Sequence, residues 1–414
     1  MNDTHQFQCP KCKSILASAA VSEGAKVTCP ECGEVFVVKP FVRKAKLRTV
    51  ATDGNPGETG ESAEIPDMIQ DRIASAVGIE KLKGFSLSAL FAETFSHHTP
   101  EEVEESFSVG TASSTPKIED IDVSWPKPWL FMRMLLASLG LYFLFWLGWR
   151  GFENQNLIPG WILIGSFAIP VSTLVLFTEL NIRRNMSLYA IVRLAFLGGI
   201  LSLLLSLVLF TLFDDGSWGA SIAGPIEETG KVLAMIAVAR ASKYRYKLNG
   251  LLVGAAVGVG FAAFESAGYA MSYLLNTTVE SSFFAASTEE LQDSILAFGI
   301  SEGTETMESV LVSRGLLSPF GHIVWSAIAG FALWRTIGGR PFRVSMLWDE
   351  SFIRLMLVPV LLHMIWNSPF ELPFYGKYLL VGIAGWFVCL SCVQEGLKEL
   401  QIEKEIEKKK EIVQ

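Results

Sequence analysis

Charge is scarce in this chain of 414 residues. Asp, Glu, Lys and Arg make up 18 % of it, against the ~25 % usual for soluble domains. The formal net charge is only −8 and no basic stripe is interleaved with aromatics, so nothing supports nucleic-acid binding. The first forty residues hold no apolar run behind a basic start, so no cleavable signal peptide is expected. No internal symmetry of the kind found in many transporters is visible. Histidine is rarer still, with five residues, and cysteine has six. Any site that uses them must draw on a small set.

What is abundant is apolar surface. Half of the residues are hydrophobic, with 28 Phe and 11 Trp. Eight stretches approach the ~20 residues needed to cross a ~30 Å hydrocarbon core as helices. They lie near 129–149, 159–179, 188–213, 218–239, 249–275, 315–337, 353–372 and 377–395. The expected fold class is therefore an all-α polytopic membrane protein with a small β zinc ribbon at its N-terminus. Four regions follow: a ribbon over 1–40, a flexible linker over 41–125 with room for one or two amphipathic helices, a multi-pass domain over 126–398, and a charged tail over 399–414. Turn-forming stretches such as Asp53–Gly57 and Thr111–Pro116 support the linker. His97 and His98 within it read as a solvated turn before a helix. Trp125 and Trp129 suit an interfacial anchor at the entry to the first span.

The ribbon rests on Cys9-Pro-Lys-Cys12 and Cys29-Pro-Glu-Cys32, two CxxC pairs sixteen residues apart. That spacing fits a four-cysteine zinc site, each pair offering two thiolates from a tight turn. Val27–Thr28 and Val35–Val38 would form short flanking strands. So small a unit draws its folding energy from the metal, and a closed four-thiolate site suits recognition of a cytoplasmic protein partner better than chemistry. Cys389 and Cys392, also spaced CxxC, read as small packing residues in the last span.

Loop charges orient the chain. Arg183 and Arg184 follow span two; Arg240, Lys243, Arg245 and Lys247 follow span four; Arg335, Arg340 and Arg343 follow span six; Lys404, Lys408, Lys409 and Lys410 follow span eight. The alternate loops, including an acidic 276–313 segment, are poor in Lys and Arg. Basic loops stay inside, so both termini are expected in the cytoplasm of a bacterium, whose inner membrane the chain crosses. A reducing cytoplasm also suits zinc-bound thiolates rather than disulfides.

Ionisable groups inside spans are costly and mark function. Span four carries Glu227, Glu228 and Lys231; span five Glu265; span six His322; span seven His363 and Asn367. Counting from the span ends at ~1.5 Å per residue, Glu227, Glu265, His322 and His363 all lie roughly 10–15 Å below the outer surface. Glu227 and Lys231, like His363 and Asn367, stand i,i+4 and share a helix face. Gly250, Gly254 and Gly258 form a small-residue stripe that lets a neighbouring helix approach span five. Arg314 marks the outer end of span six or contacts substrate. The chain contains no His-Glu-x-x-His, Gly219-Ala220-Ser221-Ile222 falls short of a rhomboid-like Gly-x-Ser-Gly, and no paired aspartates occur in the spans.

At these residues the sequence resembles the PrsW family of bacterial intramembrane proteases, part of a larger group that includes the CAAX prenyl proteases and bacteriocin-processing enzymes. The family's Glu-Glu-x-x-Lys matches Glu227, Glu228 and Lys231; its Phe-x-x-x-Glu matches Phe261 and Glu265; a later histidine matches His322; a final His-x-x-x-Asn-like element matches His363 and Asn367. The match covers about 130–395. It implies hydrolysis of peptide bonds in or near transmembrane segments of membrane-protein substrates, and regulatory cleavage of an anti-sigma factor in some members. Glu227 or Glu228 would act as general base. His322, His363 and Glu265 would either ligate a divalent metal such as zinc, leaving a position for water, or orient the water without metal, with Asn367 as donor. Two other readings remain: an ion- or proton-coupled transporter using the same charges, and a membrane scaffold or sensor without catalysis.

Overall fold

The computed structural model describes residues 5–8, 15–18, 26–30, 32–33, 35–37, 67–80, 82, 85–239, 243–283 and 289–413. The chain divides into two compact units, Met1–Gly60 and Glu61–Gln414. In the first, strand β1 (His5–Gln8) pairs antiparallel with β2 (Ile15–Ser18), and β3 (Lys26–Thr28) with β4 (Val35–Val37), so that Val27 faces Phe36. Cys29 and Cys32 bracket the turn after β3, where Gly33 N–H donates to the Cys29 carbonyl at 2.9 Å. Gly33 has φ +71°, in the left-handed region that glycine tolerates. Cys9 and Cys12, the linker stretch Asp53–Gly57 and Arg240 lie outside the described residues.

The second unit is helical among its described residues. Three short helices precede the membrane domain: α1 (Asp67–Val77), α2 (Leu87–Leu90) and α3 (Pro100–Phe107). Within the linker expected over 41–125, the described residues from Asp67 onward include helices that pack, with Ala74, Ile79 and Leu90 buried in the main core of this unit. His98 packs there too, its ring stacked on Trp129 at 3.6 Å.

The long helices follow: α4 (Leu130–Phe152), α5 (Ile158–Leu180), α6 (Leu188–Arg193), α7 (Gly199–Phe213), α8 (Ala223–Val238), α9 (Lys247–Phe283), α10 (Glu289–Leu317), α11 (His322–Ile337), α12 (Glu350–Trp366) and α13 (Gly376–Val413). Among the described residues six segments are long and apolar enough to cross a membrane: Leu130–Phe152, Gln155–Leu180, Leu188–Phe213, Lys247–Glu280, Gly299–Ile337 and Pro373–Lys410. The chain is thus a multi-pass membrane protein. The expected count of eight is not confirmed at α8 and α12, of 16 and 17 residues. Their windows had counted flanking residues that are not α-helical: a 3₁₀ turn over Gly219–Ile222 before α8, and the segment after Trp366 that contains Pro369. At ~1.5 Å per residue they reach about 24 and 26 Å, short of a ~30 Å core. The 276–313 segment is not a loop where it is described, since α9 continues to Phe283 and α10 begins at Glu289. The tail over 399–414 continues α13 as helix to Val413, with Leu400 fully buried.

Between helices in a membrane the hydrophobic effect contributes little, so close packing and polar contacts hold them. The glycine stripe of α9 does this against α11. A Cβ at Gly254 would overlap the Ser326 carbonyl, and one at Gly258 would lie 2.7 Å from the His322 carbonyl oxygen. On another face, Gly260 and Gly199 touch where a π-helical turn (Leu194–Gly198) joins α6 to α7. Glu179, near the end of α5, accepts from the N–H groups of Trp129, Leu130 and Phe131 at 2.8–3.0 Å. It thereby satisfies the free donors at the start of α4. Buried Asn249, at the start of α9, bonds to both Asn181 and Asn185.

Candidate functional site

Four helices deliver ionisable side chains to one place, and three of them, α8, α11 and α12, do so near a helix end. Glu227, Glu228 and Lys231 occupy the first half of α8. His322 is the first residue of α11, behind a break at Ser318–Gly321. His363 lies in the last turn of α12. Glu265 lies midway along α9. Measured against helix ends, Glu227 sits four residues into α8 and His363 three from the end of α12, about 5–6 Å in at ~1.5 Å per residue. The greater depth expected from the sequence came from the same flanking residues that the expected spans included beyond α8 and α12.

Glu228 and Lys231 are wholly buried and ion-paired at 2.7 Å. The same Glu228 oxygen accepts from His363 Nδ1 at 3.0 Å. Lys231 Nζ also reaches His322 Nδ1 at 2.9 Å and lies 4.1 Å from the centre of the Phe261 ring. His322 Nε2 stands 3.2 Å from Glu265 Oε2, an oxygen that also receives the Arg314 guanidinium. Glu227 Oε2 is buried and accepts no hydrogen bond. It lies 3.9 Å from His322 Nδ1, 3.9 Å from His363 Nε2 and 3.9 Å from Lys231 Nζ. Trp325 of α11 stacks on His363 at 4.7 Å and meets His322 edge-on, so both imidazoles are walled by one indole.

Six of the seven residues singled out from the sequence therefore converge. Asn367 does not. It caps the end of α12, where its backbone N–H donates to the His363 carbonyl at 3.1 Å, and its side chain makes no hydrogen bond to the cluster. The i,i+4 argument assumed a helix that continues past Trp366. Sequence reasoning assigned Arg314 a boundary role or a contact with substrate, not a contact with Glu265, and did not single out Trp325 or Ser266. Two signals were available: Arg314 stands eight residues before His322, and Tyr269, whose ring the guanidinium covers at 4.5 Å, stands i,i+4 from Glu265. Cys389 and Cys392 are buried in the core of the bundle.

Glu227, His322 and His363 each offer a donor atom, all within 4.8 Å of one another. Two ligands ~2.0–2.1 Å from a tetrahedral ion would stand roughly 3.3 Å apart, so a small inward movement would let this set grip a divalent ion. Three further observations fit a metal. The Glu227 oxygen has no partner. Each imidazole has a carboxylate on its far nitrogen, Glu265 for His322 and Glu228 for His363, the arrangement that orients metal-binding histidines. In their ionised forms, three carboxylates face only two cations, Lys231 and Arg314, and a divalent ion would offset the excess negative charge. Against it, the Lys231 ammonium occupies the His322 nitrogen that faces Glu227. The group matches the sequence expectation in its histidines and differs in its carboxylate, Glu227 rather than Glu265.

Comparison with protein families matches residues 183–393 to the model described as PrsW family intramembrane metalloprotease. That span holds every residue of the cluster. No curated protein and no solved structure matches the chain.

Proposed function

The chain belongs to the PrsW family of intramembrane metalloproteases, and from that premise we propose that it hydrolyses peptide bonds in or near transmembrane segments of membrane proteins, using the cluster on α8, α9, α11 and α12. The observation that carries this reading is the unpartnered Glu227 oxygen, 3.9 Å from a nitrogen of each histidine. Glu227, His322 and His363 would hold a divalent metal, zinc being the natural candidate for two imidazoles and a carboxylate. Bound there, a metal supplies Lewis acidity to the substrate carbonyl and yields a nucleophilic water near neutral pH.

The chain's own groups do the rest. Glu228 and Glu265 fix the ring orientations of His363 and His322 from behind. The Lys231 ammonium, released from His322 Nδ1, is positioned to stabilise the oxyanion or to give a proton to the leaving amine. Trp325 and Phe261 exclude water from one side of the site. The Lys231–His322 contact of 2.9 Å favours a second reading, in which no metal binds and Glu227 is the general base. Activity that survives exhaustive chelation, with no metal on the membrane domain, would select it.

In the same reading α8 and α12 are counted as crossings, giving eight, and the basic loops set both termini in a bacterial cytoplasm. Cys9, Cys12, Cys29 and Cys32 hold a structural zinc; the Cys29–Gly33 turn supports this for the second pair. The ribbon recruits a cytoplasmic partner, and cleavage serves regulation, as with anti-sigma factors. The test compares membrane-protein N-termini by mass spectrometry between wild type and Glu227→Gln/Glu228→Gln at matched expression. New N-termini at or beside spans, seen only with wild type, establish the activity and name its substrates. Identical profiles under several stresses, with both proteins folded, return the weight to a scaffold or a transporter.

A further inference from the structure

We propose that Arg314 is a positioning residue for His322: it clamps Glu265 against the imidazole and so keeps the other ring nitrogen turned to Glu227. The inference rests on the reading of His322 as a site residue. Arg314 belongs to α10, which supplies no other member of the cluster, and it is held at three points. Its Nε donates to Ser266 Oγ at 3.0 Å, a terminal nitrogen donates to Glu265 Oε2, and the guanidinium plane covers Tyr269 at 4.5 Å. Ser266 is buried, so the first bond is sheltered from water. The planar fork of arginine fits this two-point contact; a lysine could make only one of the two bonds.

The consequence runs through one atom. Glu265 Oε2 receives Arg314 on one side and faces His322 Nε2 at 3.2 Å on the other. While the carboxylate is held there, Nε2 carries the ring proton, and Nδ1 presents its lone pair to Lys231 at 2.9 Å and to Glu227 at 3.9 Å. Removing the guanidinium leaves a carboxylate at membrane depth with no nearby cation on its outer side. It would then turn toward Lys231 and draw the ammonium off Nδ1, and the imidazole would lose both the acceptor on Nε2 and the donor on Nδ1 that select its tautomer. Arg314 touches neither imidazole, so its influence on them passes through Glu265.

The test uses the full-length protein in detergent micelles with ¹⁵N-labelled histidine. Imidazole ¹⁵N shifts separate protonated from bare ring nitrogens, and His322→Ala identifies the His322 signals among the five histidines. Wild type should show His322 with a proton on Nε2 and none on Nδ1. Arg314→Ala should convert this into a mixture of tautomers and leave His363 unchanged. Arg314→Gln, close in size and able to keep the Ser266 bond, should do the same if the alanine variant fails to fold. Arg314→Lys should restore most of the wild-type form. A wild-type His322 signature in either the Ala or the Gln variant overturns the assignment. Metal content of the same samples separates the two readings: a wild type with no metal beyond that of the cysteines, yet with the expected tautomer change, defeats the metal and leaves Arg314 in its role.

Discussion

His363 Nδ1 lies 3.0 Å from Glu228 Oε1, a contact that joins α12 to α8 across 135 residues of sequence. It gives two adjacent glutamates different tasks. Each keeps one buried oxygen without a hydrogen-bond partner, but Glu228 commits its other oxygen, Oε1, to Lys231 and His363, whereas the open oxygen of Glu227 lies 3.9 Å from a nitrogen of each histidine. Once a substrate is in hand, Glu228→Gln is expected to lower the cleavage rate about 10–100-fold, as for loss of an outer-shell carboxylate. Glu227→Gln should lower it by on the order of 10²–10⁴. Equal losses would show that the two carboxylates are interchangeable and remove the division of roles.

The Lys231–Glu228 pair is fully buried, so removing one partner strands the other. Lys231→Met is expected to cost about 3–5 kcal/mol, read as a fall in melting temperature in detergent. Combining it with Glu228→Gln should recover much of that loss, because a neutral pair has nothing left to compensate. A double variant no more stable than the single one would mean that Lys231 owes its place to packing or to His322.

Metal stoichiometry tests the donor set directly. Purified protein should carry one divalent ion per chain beyond the zinc proposed for the four N-terminal cysteines, and His322→Ala or His363→Ala should each lose that ion while keeping any zinc on the cysteines. Elemental analysis decides it. A full complement in both variants would place the extra ion elsewhere.

Three glycines of α9 give a packing series. Gly254→Ala and Gly258→Ala push into the backbone of α11 and should destabilise by about 1–3 kcal/mol each. They should also lower activity, because α11 starts at His322. Gly268→Ala meets open space and should be neutral or gain about 0.5–1 kcal/mol from reduced chain entropy. Thermal melting of the three checks the order.

Glu179→Gln weakens a carboxylate that accepts three backbone N–H groups. A loss of about 1–3 kcal/mol is expected, with faster hydrogen exchange confined to the first turn of α4. Uniform acceleration across the bundle would argue for a global rather than a capping role.

Much of this architecture was legible from residue spacing. The chemistry-bearing residues stood out because a membrane helix has so few reasons to carry Glu, Lys or His, and Gly250, Gly254 and Gly258 announced a close helix contact on span five, though not that its partner is α11. What the sequence hid was where helices stop. Gly219 through Ile222 are apolar enough to extend a span but wind as a 3₁₀ turn, and Asn367 lies one residue past the end of α12. Hydropathy reads transfer free energy, not backbone hydrogen bonding, so it cannot locate such ends. Arg314 was hidden for a different reason. Its meaning depends on Glu265, 49 residues earlier, and no local pattern links the two.

α9 is buried along most of its apolar length by its neighbours, and this bears on how the protein is made. Synthesis runs from the N-terminus, so α9 leaves the ribosome before α10 and α11, which carry Arg314 and His322. During that interval Glu265 has neither of its partners. A lone carboxylate is poorly tolerated in hydrocarbon, so α9 is suited to waiting beside α8 and Lys231, or at the edge of the insertion machinery, until the next two helices arrive. The order of the helices thus sets a schedule: the residues of the cluster can close on one another only after most of the domain has been threaded into the bilayer.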